Sequence, residues 1–129
     1  MLLERVKDIE ILANSAKLLR ILLREEANLA KISNNTAVGR SVVNALLEAV
    51  LHHGHSEAVV VESLSAVRNY TKDPRNIEHI MPRNVHALVS VANDVQLIKA
   101  RSVAVNTLKQ IATNPDYAEH IKRAGETPT

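Results

Sequence analysis

The chain has six histidines, and three of them, His52, His53 and His55, flank Gly54. Clustered imidazoles suit Zn or Cu. Yet there is no Cys, no carboxylate stands at a structural ligand spacing, and HHGH contains no helical i, i+4 pair. A solvated turn is therefore the favoured reading, and no metal site is assigned. His79 and His120 occupy equivalent places in the repeat described below. They could face each other across a helix pair as a pH-sensitive contact, although packing at a helix end is favoured.

Catalytic patterns are missing. The sequence holds no glycine-rich phosphate loop, no nucleophile elbow and no His-Glu-x-x-His. Glu25 and Glu26 are adjacent, so on a helix they point in different directions. No catalytic residue and no cofactor are assigned, and the chain is read as a non-enzyme.

The elements that must carry any function follow from composition. At 129 residues the chain suits one domain over 1–129, and its 46% hydrophobic and 23% charged residues exclude wholesale disorder. With two Tyr and no Trp or Phe, the core must be built from Leu, Ile, Val and Ala. Only 3 Gly and 4 Pro argue against many short strands. The net charge of +2 is spread evenly along the chain, so the pI of 9.1 does not mark a nucleic-acid tail. The opening MLLERVKDIE carries charges at positions 4, 5, 7 and 8, which prevents an apolar signal-peptide stretch. No run approaches the roughly 18 apolar residues of a membrane span. Cytoplasm or nucleus is the expected location.

Apolar residues recur at helical spacing in five segments: Ile9 to Leu23, Val38 to Leu51, Val60 to Val67 with Tyr70 closing the face, Val85 to Ala92, and Leu97 to Ile111. Shorter helices are expected around Leu29–Ile32, Ile77–Ile80 and Tyr117–Ile121. Asp73-Pro74 and Asn114-Pro115 each place a capping side chain before a Pro at the first helical position. Ser56 and Asp94 are expected N-caps of the third and fifth helices. Gly54 is expected to supply a left-handed residue after a helix. The predicted class is all-α.

Self-similarity adds topology. LSAVRNYTKDPRNIEHI (64–80) and VNTLKQIATNPDYAEHI (105–121) align at an offset of 41, which pairs Pro74 with Pro115 and both Glu-His-Ile triplets. AKLLRILLREEANLAKI (16–32) is a weaker copy at an offset of 48, with the extra residues in SNNTAVGRS (33–41). Approximate repeats are 1–32, 33–73, 74–114 and a partial 115–129.

A period near 41 with these residues resembles the armadillo-repeat family, with HEAT-like repeats as the alternative. LSAVRNYTKDPRNIEHI looks like that family's third helix, Asp-Pro turn and following first helix. IKRAG (121–125) resembles the first-helix ending, where a Gly makes the sharp turn into the second helix. At the equivalent turn, MPRN puts Asn84 in place of that Gly, in an expected left-handed conformation. The resemblance implies a right-handed α-solenoid whose third helices line a concave groove. The closing AGETPT resembles the start of a further repeat, and residues 1–8 begin close to an unpartnered long helix. The chain therefore reads as an excerpt of a longer array, and end-to-end self-association through uncapped faces is an expectation.

The repeat register aligns the third-helix residues. Lys17, Ser65 and Asn106 are equivalent, as are Arg20, Arg68 and Lys109, and Arg24, Lys72 and Thr113. Asn69 and Gln110 form a further pair. Resemblance implies that Asn69 is the family's groove Asn, hydrogen-bonded to the main chain of an extended peptide. The importin-alpha branch usually carries a Trp four residues earlier, where this chain has Ser65. The leading expectation is a protein-interaction module that binds an extended, acidic protein segment, in the beta-catenin style. Its contact residues would be Lys17, Arg20, Ser65, Arg68, Asn69, Lys72, Asn106, Lys109 and Gln110, with no small-molecule substrate and no membrane partner. Competing readings stand beside it. Lys and Arg on a helix are usually just solvated, and Asn69 can instead satisfy a neighbouring helix end. Glu57, Glu62 and Asp73 can neutralise part of the patch. A structural docking segment of a larger assembly is the alternative function. Nucleic-acid binding ranks third, for lack of stacking aromatics.

Overall fold

A computed structural model describes residues 2–126, with side chains from 7 to 125. Among the described residues, seven α-helices carry the fold: α1 (Leu2–Arg24), α2 (Glu26–Ser33), α3 (Thr36–His52), α4 (Glu57–Tyr70), α5 (Val85–Ala92), α6 (Ile98–Ile111) and α7 (Pro115–Glu126). Two 3-10 helices, Pro74–His79 and Pro82–Asn84, join α4 to α5. No strand occurs among the described residues. All-α is the observed class.

Side-chain chemistry sets several boundaries. Asn35 and Ser56 begin α3 and α4 by accepting hydrogen bonds from the backbone N–H groups of Val38 and Val59. Asp73 accepts from Arg75 N, and Pro74 opens the following turn. Asn114 accepts from Asp116 N where α7 starts. Glu25, with φ −85 and ψ 128, separates α1 from α2 in extended backbone.

The helices form two layers. In one, α4 lies between α1 and α6 and packs against both. In the other, α3 packs against α5, and α7 follows on α5, while α3 and α5 also cover α4 and α6 respectively. Between them lies the core: Val60, Leu64, Val67 and Tyr70 of α4, Val43 and Leu47 of α3, Leu88 of α5, Ala104 and Ile111 of α6. Complete burial of a Leu such as Leu64 contributes about 1.5–3 kcal/mol. This core positions α1, α4 and α6 side by side.

Four local expectations are corrected. No described residue has a positive φ. Asn84 is right-handed, with φ −78 and ψ −11, and it is buried. The turn there is made by the 3-10 helix, whose Pro82 fixes φ. Gly54 follows a helix end at His53, whose N–H still bonds Ala49 O, so no left-handed residue is required. Gly125 lies inside α7 rather than ending it. Asp94 accepts from Gln96 N within the α5–α6 connection, while α6 starts after Leu97 without a side-chain cap. The tail of AGETPT from position 127 lies outside the described residues.

One buried polar knot holds the α4–α5 connection to α3. The Nδ2 group of Asn44 donates to Arg40 O at 2.8 Å and to His79 O at 2.9 Å. Its Oδ1 accepts from Met81 N at 2.9 Å and from Asn84 Nδ2 at 2.8 Å. Both donor and both acceptor capacities of the amide are thereby used.

Candidate functional site

The α1–α4–α6 layer brings the aligned residues together, and two hydrogen bonds fix its register. Asn69 Nδ2 donates to Arg20 O at 2.8 Å. Gln110 Nε2, 41 residues later, donates to Arg68 O at 2.8 Å and to Thr71 Oγ1 at 2.7 Å. The bonds to Arg20 O and Arg68 O thus join equivalent amides to equivalent carbonyls of the preceding helix, and the Thr71 hydroxyl is an additional acceptor. Inter-helix staples are the role this geometry gives Asn69 and Gln110. Their amide nitrogens are committed, and Asn69 is buried. These bonds favour the helix-satisfying alternative for Asn69 and give Gln110 the same kind of partner.

The cations fall into two groups. Arg20 is half-buried, and its Nε donates to Glu62 Oε2 on α4 at 2.6 Å, so its charge is already answered. Lys17, Arg68, Lys72 and Lys109 are exposed and pair with no carboxylate among the described residues. Ser65 is half-buried and Asn106 exposed on the same helices. Of the acidic neighbours, Glu62 neutralises Arg20, and Asp73 binds Arg75 at 2.7 Å instead of the ladder. Arg75, beside it, holds the Asp73 carboxyl below its usual range. Arg68 and Lys109 also sit in the last turns of α4 and α6, where a cation meets the negative end of the helix dipole.

The histidines are placed differently from one another. His52, His53 and His55 line a recess of about 280 Å³ with Asp8 and Ile9 of α1. Asp8 is a neighbour that linear spacing did not reveal. Among the described residues, no group of three His, Cys, Asp or Glu is arranged to hold a metal ion. His79 and His120 are held against different tyrosines. The Tyr70 hydroxyl and His79 Nδ1 share a hydrogen bond at 2.5 Å, and His120 meets the Tyr117 ring edge-on at a centroid distance of 5.4 Å.

Burial governs the titration of the Tyr70–His79 pair. It raises the Tyr70 phenol to about 12, with the Asp73 carboxylate adding to the effect. It also lowers His79, helped by the Arg40 cation, so the neutral imidazole is favoured. Tyr117 donates to Ile80 O, which ties α7 to the end of the first 3-10 helix.

No protein-family model, curated protein or solved structure matches this chain. No described helix is long and apolar enough to cross a membrane.

Proposed function

We propose that the chain is a non-enzymatic, armadillo-like interaction module, a right-handed solenoid that binds an extended acidic protein segment along the α1–α4–α6 layer. The observation that carries this reading is the set of exposed, unpaired cations Lys17, Arg68 and Lys109 on three helices stapled in register, with Lys72 in the turn just past α4. Helices in contact lie about 8–10 Å apart, a spacing that an extended chain spans in roughly three residues. Carboxylates or phosphates about three residues apart would reach successive cations. Ser65 and Asn106 would supply neutral hydrogen bonds, while Asn69, Gln110 and Arg20 would hold the layer together.

A fluorescence-anisotropy titration with a labelled Glu/Asp-rich peptide tests the reading. Binding should weaken as salt rises, and combined Arg68→Glu and Lys109→Glu substitution should abolish it. Affinity unchanged by salt or by charge reversal would overturn the basic-face reading. Affinity capture from a lysate, with native and charge-reversed proteins side by side, would then identify the partner. A partner retained by both proteins would favour the alternative role as a docking segment in a larger assembly. Cytoplasm or nucleus remains the proposed location.

A further inference from the structure

Outside the α1–α4–α6 layer, one recess gathers polar groups that the fold leaves unused. It measures about 400 Å³ and lies between α3 and the α4–α5 connection, with Arg40, Ser41, Asn44 and Ala45 on one wall and His79 and Met81 on the other. Asn44 is fully occupied by the knot described above, so the unused groups are those of Arg40, Ser41 and His79. Arg40 is exposed and pairs with no carboxylate among the described residues. His79 is only 9% exposed, and its Nδ1 is taken by Tyr70. Nε2 makes no hydrogen bond, and it is not among the enclosed side-chain atoms lacking one, which are Ser63 Oγ and Asn76 Oδ1. It is thus an open nitrogen on a ring that is otherwise buried.

The Tyr70 hydroxyl is wholly buried, and His79 Nδ1 is its sole partner among the described residues. An enclosed O–H without an acceptor is costly, so the phenol donates to Nδ1 and the imidazole proton stays on Nε2. Burial keeps the phenol protonated and the imidazole neutral, which preserves that arrangement near neutral pH. The recess therefore offers a guanidinium, a neutral N–H and the Ser41 hydroxyl, all donors, with a single positive charge. Nearby carboxylates are engaged elsewhere. Glu48 lines the far end of the recess, about 12 Å along α3 from Arg40, and pairs with Arg83 at 3.5 Å. Asp73 binds Arg75, and Glu78 lines a different recess beside α7. Met81 and Ala45 are exposed and add apolar surface next to the donors. We propose that this recess binds a carboxylate carried on a short apolar body, with Arg40 and His79 Nε2 holding its oxygens and Met81 and Ala45 covering the body. One cation answers the single charge of a carboxylate, whereas a phosphate dianion would keep half of its charge unanswered.

Titration of the whole chain with sodium butyrate, against sodium chloride at equal ionic strength, tests the site through the imidazole nitrogen resonances of His79. Butyrate should shift the Nε2 signal saturably, and chloride should not. Arg40→Gln should weaken butyrate binding by about tenfold or more, the usual effect of losing a charged hydrogen-bond donor. Its helical circular-dichroism signal should be unchanged, because the site is exposed. Lys99→Gln, at an exposed cation on α6, should leave affinity within about twofold. A tripeptide ending in Leu, with its C-terminus free or amidated, identifies the source of the carboxylate. Tighter binding of the free terminus than of butyrate, with the amidated form inactive, assigns the site to a peptide C-terminus. No gain over butyrate assigns it to a free carboxylic acid. The Arg68→Glu, Lys109→Glu protein should bind butyrate like the native chain, since neither residue lines the recess, so failure of the acidic-segment reading leaves this site standing. A His79 signal that ignores butyrate, or a response that survives Arg40→Gln, would overturn the proposal.

Discussion

The hydroxyl of Tyr70 occupies the space that a side chain on Gly39 would need. A Cβ built on Gly39 would approach the Tyr70 oxygen well inside 3.0 Å and would stand 3.2 Å from Cζ. The phenol cannot retreat, because it is buried and bonded to His79. Gly39→Ala should therefore destabilise the fold by about 1–3 kcal/mol, the usual cost of overpacking. Removing the hydroxyl in a Gly39→Ala, Tyr70→Phe double variant should cost less than the sum of the two single changes. Urea unfolding of the four proteins measures the coupling, and additivity would exclude the steric account.

The same tyrosine–histidine pair should add a pH dependence to stability at both the acid and the alkaline end. His79 has a folded pKa below its usual 6.5, so the unfolded chain binds more protons as the medium becomes acidic. The stability it contributes should be complete above 6.5 and should fall as pH drops through the lowered folded value. Tyr70 acts in the opposite sense. Its folded value of about 12 lies above the ordinary 10.0, so its contribution should be complete below 10.0 and be lost between 10.0 and about 12. Melting temperatures across this range should bend at both ends, and Tyr70→Phe should flatten the alkaline limb. An unchanged alkaline limb would show that Tyr70 does not govern it.

Asn44 should be the most costly polar residue to truncate. Asn44→Ala leaves Met81 N–H, the Asn84 amide and His79 O without their partner in a buried setting. Loss of roughly 2–4 kcal/mol is expected, since each buried unsatisfied group costs about 1–3 kcal/mol and the effects do not add fully. Asn44→Leu, similar in volume, should not rescue it. Thermal unfolding of both variants checks the expectation, and a full rescue by Leu would mean that packing rather than hydrogen bonding sets the cost.

Asn69 and Gln110 should separate stability from binding. Replacing either by Ala should cost about 1 kcal/mol, the net value of an ordinary hydrogen bond. Affinity for the acidic probe peptide should stay within about twofold, because the amide nitrogens already serve Arg20 O and Arg68 O. Arg68→Glu and Lys109→Glu should show the reverse pattern. Small stability losses from the reversed helix-dipole contact, about 0.3–1 kcal/mol each, would accompany a large loss of binding. Paired urea melts and anisotropy titrations distinguish the two sets. A tenfold weaker affinity in Asn69→Ala would restore its peptide-contact role.

Much of the helical layout was written in local sequence. Periodic apolar residues marked the long helices and Ser56 the start of α4, while Asp73-Pro74 and Asn114-Pro115 marked the starts of the first 3-10 helix and of α7, because capping depends on groups only a few residues apart. The 41-residue offset also foretold which residues would be equivalent, and the amides of Asn69 and Gln110 later took equivalent carbonyls. Gly54, Asn84 and Gly125 misled, since glycine and asparagine permit a left-handed backbone without requiring it.

Tertiary structure decided which polar side chains were already satisfied. Arg20 and Glu62 are 42 residues apart, Asn44 and Asn84 are 40, and Asp8 faces histidines more than 40 positions away. A polar side chain takes whatever partner the packed helices bring within about 3 Å, and chain spacing carries no record of that distance. The sequence by itself marked the helical class and the 41-residue offset between 64–80 and 105–121. Packing alone separated committed amides from free cations.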